Sequence, residues 1–274
     1  MQDLGWLEGK NVEYLSVYAD GDLERLDALA SELIGQKVDL IVVGNATSTR
    51  TLQRATKTIP IVMGSVNNPV ANGFVATLAH PGGNITGIAT QSEVVLGKLI
   101  GILHEVAPGA RRIAILLNEN NPNHTVFWGG AQSGCASLDL VPLRIVASAS
   151  AQFAVAIEQI VQQKSQAVVV VADPIYLNER NKLHALMQPT RLPVAYGWRE
   201  HVLAGGLLSY ATDLSATSRQ VATYVDKILN GAKPADLPVA QATKFDLVIN
   251  LKAAKALGVI IPNDILLLAE EVIR

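Results

Sequence analysis

Short β-rich apolar runs alternate with amphipathic stretches along this chain, and few architectures accept that order. Val12–Tyr18 alternates as a strand does, and Asp22–Gly35 carries helical spacing at Leu23, Leu26, Leu29, Ala30 and Leu33. Asp39–Val43, Ile59–Met63 and Asn84–Thr90 read as strands, with a helix at Thr47–Thr56. The helix at Glu93–Val106 stops before Pro108-Gly109, where proline forbids continuation. The pattern then restarts, with strands at Arg112–Leu117, Val141–Val146, Ala167–Val171, Leu192–Tyr196 and Leu207–Tyr210. Helices are predicted at Thr125–Leu138, Gln152–Gln163, Tyr176–Met187, Arg199–Leu203 and Ser215–Asn230, the last ended by Gly231. Phe245–Ile249 and Lys252–Leu257 follow as strand and helix. Continuous apolar strands alternating with helices imply a parallel sheet covered on both faces. Two such series, split near residue 90, imply two similar lobes, and no repeat of fixed short period points to a solenoid.

A hydrophobic content of 49% over 274 residues supplies ample core. The formal net charge of −2, without a run of like charges, speaks against nucleic acid and against a polybasic membrane patch. Cys135 is the only cysteine, so no disulfide forms within the chain, and its place in an apolar helix predicts a small buried side chain. No stretch reaches the roughly 18 apolar residues of a membrane span.

Open parallel sheets bind ligands beyond the carboxyl ends of their strands, where helix N-termini present unpaired N–H groups. The loop Gly44–Thr49 after Asp39–Val43 is rich in small hydroxyl residues, suited to cradling a carboxylate or to helix capping by Thr47. Ser65 and Asn68 follow Ile59–Met63, Asn118 and Asn121 follow Arg112–Leu117, and Asp173 follows Ala167–Val171. Tyr196 and Trp198 follow Leu192–Val194. Each segment can be a simple turn, but polar and aromatic groups at the strand ends of both halves point to a cleft that gathers them.

Enzyme motifs are absent. There is no G-x-G-x-x-G, no phosphate loop of the NTPase type and no G-x-S-x-G nucleophile elbow. His80, His104, His124, His184 and His201 lack metal-ligand spacing and read as surface or packing residues. Glu270 and Glu271 read as solvated rather than as a catalytic pair. No catalytic residue, metal or cofactor is expected.

Several segments carry a family resemblance. They are Ala79-His80-Pro81-Gly82-Gly83-Asn84-Ile85-Thr86-Gly87, Asp173-Pro174, Tyr196–Glu200 and Ala204–Tyr210. The most specific runs from Tyr224 through Asn230-Gly231-Ala232-Lys233-Pro234 to Val239, and continues through Lys244-Phe245 and Val248–Lys252 to Ala256-Leu257-Gly258. Over nearly its whole length the chain resembles the substrate-binding proteins of bacterial ABC importers, of the aromatic-amino-acid or unassigned type.

The resemblance implies an α/β protein of the type I periplasmic-binding fold, with two Rossmann-like lobes, a ligand held between them and hinge closure on binding. Crossovers are expected near Thr90, near 211–213 and near 241–244. Lobe 1 is then 1–90 with 213–241, and lobe 2 is 91–212 with 242–274. Asn45 and Thr47 would hold a carboxylate, Asp173 or Glu200 an ammonium, and Tyr196 or Trp198 an apolar ring. Ser65, Asn68, Thr90, Asn118, Asn121 and Asp213 complete the expected ligand set. The ligand is a small molecule, an aromatic amino acid first among candidates, and the partner is a permease in the cytoplasmic membrane. The site of action would be the periplasm or the outer face of that membrane. The family usually has Asp where this chain has Asn68 and an aromatic where it has Leu117, which points to a modified ligand preference.

Relatives begin with an export signal, then a strand and a helix before the turn that corresponds to Glu8-Gly9-Lys10. Most of that helix and the first strand of lobe 1 are expected to be missing here, through a misassigned start or a truncated gene. The alternative function is the ligand-sensing domain of a regulator with the same fold, disfavoured because no basic helix-turn-helix precedes the lobes. A Rossmann-like enzyme is a third class, disfavoured by the absent motifs.

Overall fold

The computed structural model describes residues 1–274 apart from Gly21, Pro122 and Thr243, and only the backbone of Ser92 and Glu93. Expectations that fall on these positions, in the Asn118–Asn123 loop, the 241–244 crossover and the first turn of the Glu93–Val106 helix, lie outside the described residues. In chain order the elements are α1 (Leu26–Gly35), β1 (Ile41–Val43), α2 (Ala46–Ala55), β2 (Ile61–Asn67), β3 (Ile85–Thr90) and α3 (Ser92–Val106). Next come β4 (Arg112–Leu117), α4 (His124–Ala136), β5 (Val141–Val146), α5 (Phe153–Gln162), β6 (Ala167–Val170), α6 (Pro174–Asn178) and α7 (Arg180–Met187). Then follow β7 (Val194–Tyr196), α8 (Arg199–Leu203), β8 (Leu208–Thr212), α9 (Leu214–Leu229) and β9 (Ala240–Gln241). The last are β10 (Phe245–Asn250), α10 (Leu251–Leu257), α11 (Asn263–Leu267) and β11 (Glu271–Ile273). No helix among the described residues is long and apolar enough to cross a membrane.

The chain divides into two compact units. Unit 1 is Met1–Gln91 with Asp213–Lys244, and unit 2 is Ser92–Thr212 with Phe245–Arg274. In unit 1, a parallel sheet of order β1-β2-β3-β9 separates two apolar clusters. Alternation along β2 distributes its side chains: Ile61 and Met63 pack with Leu52 of α2 and Ala30 of α1, while Val62 packs with Val221, Val225 and Ile228 of α9.

In unit 2 the sheet order is β11-β10-β8-β7-β6-β4-β5. Val168, Val169 and Val170 of β6 are all fully buried, as a strand covered on both faces requires. Helix α3 packs on α4 and α5 on α7. Cys135 of α4 sits in this core, and burial pushes its thiol up to about 11, which makes it an inert packing residue.

Three sequence expectations differ from the structure. Val12–Tyr18 forms no strand: a lone bridge joins Val12 to Glu8, and Tyr18 is 70% exposed. Alternation creates a face that could be buried, but a strand also needs a partner, and among the described residues β1 pairs only with β2. The helix expected at Tyr176–Met187 begins earlier and breaks. Asp173 caps Pro174–Asn178, and Glu179 leaves helical geometry at ψ 20° before α7 starts. Unit 2 is also not wholly parallel, since β10 runs antiparallel to β8 with Leu247 opposite Tyr210. The chain leaves unit 2 after Thr212 and re-enters at Phe245, so the returning strand starts where the departing one ends. The Asp213 N–H bonds the Lys244 carbonyl at 3.2 Å, just past those two ends.

Candidate functional site

The carboxyl ends of the strands in each unit hold most of the expected residues. In unit 1, β1 ends at Val43 and Asn45 caps α2. Its Oδ1 accepts the Ser48 N–H at 2.9 Å, and its carbonyl accepts the Thr49 N–H and hydroxyl. The cap is therefore Asn45 and not Thr47, because the extended Asn45 backbone (φ −153°) sits in the N-cap position. Thr47 lies one residue inside the helix, half-buried. Ser65 is not in a loop: β2 extends to Asn67 through a bulge between Met63 and Val66, and Ser65 lies on it. Asn68 follows at φ +43°, its Oδ1 accepting the Ala71 N–H. Thr90 closes β3 beside Asn67, its register partner. Asp213 caps α9 through the Ala216 N–H and pairs with Lys244 at 3.1 Å. These bonds, Ala216 first, hold its carboxyl below the usual range.

In unit 2, Asn118, Asn121 and Asp173 come together. The Asp173 carboxylate is 2% exposed and accepts from Asn118 Nδ2 at 3.1 and 3.2 Å, from Asn121 Nδ2 at 2.7 Å and from the Ile175 N–H at 3.0 Å. Burial raises its pKa, and Asn121, Ile175 and Asn118 pull against that shift. The amide oxygens of Asn118 and Asn121 accept from Asn120 and Asn123. Asp173 is thus satisfied by its own chain, and it ties the loop after β4 to the loop after β6. Next to it, Gly197 approaches the Ala172 backbone so closely that a Cβ would fall 2.4 Å from the Ala172 nitrogen. Gly197→Ala is expected to force the loops after β6 and β7 apart and to cost about 1–3 kcal/mol, the range for overpacking. Urea unfolding would measure it, and a change within error would show that the loops can part freely.

Trp198, half-buried, is the N-cap residue of α8, and Glu200 lies in the first turn. Among the described residues the buried Oε2 of Glu200 has no hydrogen-bond partner. Arg199 between them pairs with Glu271 and lies 3.9 Å from Asp246. Tyr196 is placed otherwise than the ring-wall role requires. It is 3% exposed, points into the core and stacks on His201, because it belongs to β7 itself rather than to the loop beyond it. Leu117 is likewise core, fully buried at the end of β4.

Sequence reasoning missed an aromatic pair. Tyr210 of β8 stacks on Phe245 of β10, with centroids 5.9 Å apart, and the Lys98 ammonium stands 5.9 Å from the Tyr210 ring. The antiparallel return of β10 brings Phe245 to the carboxyl end of β8, and only that pairing could have revealed it. Among the described residues no group of three or more His, Cys, Asp or Glu could hold a metal. Open strand ends lined by amides, a carboxylate, an indole and a helix N-terminus can bind a small polar molecule.

A profile of the ABC transporter substrate binding protein family matches residues 1–273. This chain belongs to that family. A tyrosine-binding protein of Clostridioides difficile (strain R20291) is 24% identical over 257 residues, covering 94% of this chain and 74% of the relative. Among solved structures, a conserved domain protein from Vibrio cholerae superposes with a TM-score of 0.92 at 28% identity, covering 99% of this chain and 90% of that one. An ABC domain from Streptococcus pneumonia, in complex with L-Trp, gives a TM-score of 0.91 at 23% identity, with 99% and 92% covered. The substrate-binding family adopts the two-sheet α/β architecture found here, of the type I periplasmic-binding class. Substrate-binding proteins capture and release their ligands, and the strand-end groups of this family member suit that task.

Proposed function

We propose that this chain captures an amino acid, an aromatic one by preference, at the strand-end loops of its units. It then presents the ligand to an ABC permease, on the outer side of the cytoplasmic membrane. The observation that carries the reading is Glu200: a buried carboxylate oxygen without a partner among the described residues, two residues after a half-buried indole. An α-ammonium supplies the missing donors, and the indole offers a face for a side-chain ring, worth about 0.5–1.5 kcal/mol beyond burial. Asp173 is the weaker candidate for the ammonium because its oxygens already accept from Asn118, Asn121 and Ile175. In unit 1 the Thr47 hydroxyl and the first N–H groups of α2 suit a carboxylate, with Asn45 holding the helix end in place. Ser65, Asn68, Thr90 and Asp213 are the further candidates for ligand contact in that unit. The name of the C. difficile relative supports tyrosine as the first ligand to try.

The test is a thermal-shift screen followed by calorimetry with L-tyrosine, L-tryptophan, L-phenylalanine, L-leucine and small carboxylates. A ligand at 100 times its Kd stabilises the native state by about 2.7 kcal/mol, which moves the transition visibly. Trp198→Ala is expected to weaken an aromatic ligand by roughly tenfold, about 1.4 kcal/mol, and L-leucine by less. Glu200→Gln should weaken every α-amino ligand alike. Absence of any shift with all of these compounds would sink the amino-acid reading.

A further inference from the structure

His184 and His201 sit on α7 and α8 of unit 2 and meet at 3.3 Å, from Nε2 of His184 to Nδ1 of His201. Their rings stack with centroids 5.5 Å apart. Tyr196 of β7 covers His201 at 4.6 Å and 13°, and its ring lies 5.1 Å from His184. His201 is 1% exposed, so no water reaches its nitrogens freely. The backbone of Ala204, at the end of α8, also favours a donor on the His184 ring. A neutral imidazole has one N–H. With that N–H turned to Ala204, the His184 nitrogen facing His201 is bare and accepts from it, and a second proton on His184 breaks the contact.

A proton on either ring places a cation among packed aromatic faces. It also lies near the Arg180 guanidinium, one turn earlier on α7, which disfavours the charge further. Tyr196 of β7, whose phenol burial raises, also packs against both rings. On the elements that pack on α8, Asp246 of β10 and Glu271 of β11 are directed to Arg199. Burial lowers both imidazoles, His201 to about 3. The stability they lend is therefore whole above the ordinary value of about 6.5 and drains as pH falls from there toward about 3.

We propose that this stacked pair is an acid-responsive latch: neutral, it holds α8 and the residues just before it, and protonated, it frees that segment while the sheet stays folded. Helix α8 has five residues, too few to persist by itself, so its order depends on what it packs against. Strands β4 and β6 owe their order to apolar burial, which acid leaves untouched. The segment that opens carries Trp198 and Glu200, but the latch stands on the pair's own geometry.

Peptide-resolved hydrogen exchange of the ligand-free full chain tests it, between pH 7.5 and pH 5 and corrected for the intrinsic rate. Protection across 197–206 is expected to fall at least tenfold, while peptides from β4 and β6 keep theirs. A single proton taken up on opening accounts for up to tenfold per pH unit below about 6.5. His201→Phe keeps a stacked ring without a titrating nitrogen and should flatten this dependence. If that variant fails to fold, His184→Gln, which retains a donor for Ala204, should lessen it, since His201 alone then titrates. The latch is overturned by pH-independent protection in the native chain, by an unchanged fall in the variants, or by imidazole NMR signals that titrate near pH 6.5. The measurement uses no ligand, so it stands or falls apart from the amino-acid reading.

Discussion

Gly87→Ala should lower the melting temperature by on the order of 10 °C, with the loss centred on unit 1. Gly87 lies within β3 opposite Met63 at φ +132°, a backbone state that L side chains rarely adopt. A Cβ there would stand 2.2 Å from the Met63 oxygen and 2.5 Å from its nitrogen, so the backbone of β2 would have to move. The two costs add: about 1–3 kcal/mol for the strained dihedral and about 1–3 kcal/mol for the crowded contact. The bulge that carries Ser65 begins at Met63, so the strand ends at Asn67 and Thr90 would shift with it. Gly83→Ala is the control, because a Cβ added at Gly83 would meet nothing within 4 Å. Calorimetric melting of both variants decides the matter. Equal midpoints would mean that β2 and β3 separate at little cost.

Asp173→Ala should be the most damaging single change at the strand ends of unit 2. It removes the cap of α6, worth about 0.5–2 kcal/mol. It also leaves the Asn118 and Asn121 amides without their acceptor, at about 1–3 kcal/mol for each group that stays buried. If both amides stay buried, these ranges sum to roughly 2.5–8 kcal/mol, read by urea unfolding. Asp173→Asn is the instructive companion. Its amide oxygen can still cap Ile175 and receive Asn118, but its NH2 would face the Asn121 NH2 across the present 2.7 Å bond. Asn121 cannot turn over without losing its bond from the Asn123 N–H. Asparagine should therefore recover the helix cap but not the loop. The pH dependence also carries a sign. Burial raises the Asp173 pKa, so its contribution to stability is greatest below the ordinary carboxylate value and declines as pH rises through the folded one. The alanine variant should lose that part of the pH profile. A profile identical to the parent's would show that Asp173 does not titrate differently in the folded chain.

Much of the fold is readable in the chain because its signals are local. Arg112–Leu117, Val141–Val146 and Arg199–Leu203 are bounded by turn residues on both sides, and the structure keeps those limits. Residues whose role depends on a neighbour elsewhere in the chain mislead. Thr47 resembles a cap, yet the dihedrals of Asn45 award it the position. Tyr196 closes the strand expected at Leu192–Tyr196 and resembles a wall for a ligand ring, yet packing turns it inward onto His201. Asp173 resembles a free carboxylate, yet Asn118 and Asn121, more than fifty residues away in sequence, saturate it.

The order of strands and helices, the absence of known catalytic motifs and the family to which the chain belongs are all written in the residues alone. They follow from side-chain periodicity, turn chemistry and motif spacing, each of which is complete within a few positions. Folding in three dimensions settles the rest: β10 returns antiparallel, Val12–Tyr18 stays out of the sheet, and Glu200 rather than Asp173 keeps an unspent oxygen. Pairing, burial and hydrogen-bond satisfaction are properties of two partners, and a linear sequence names only one of them at a time.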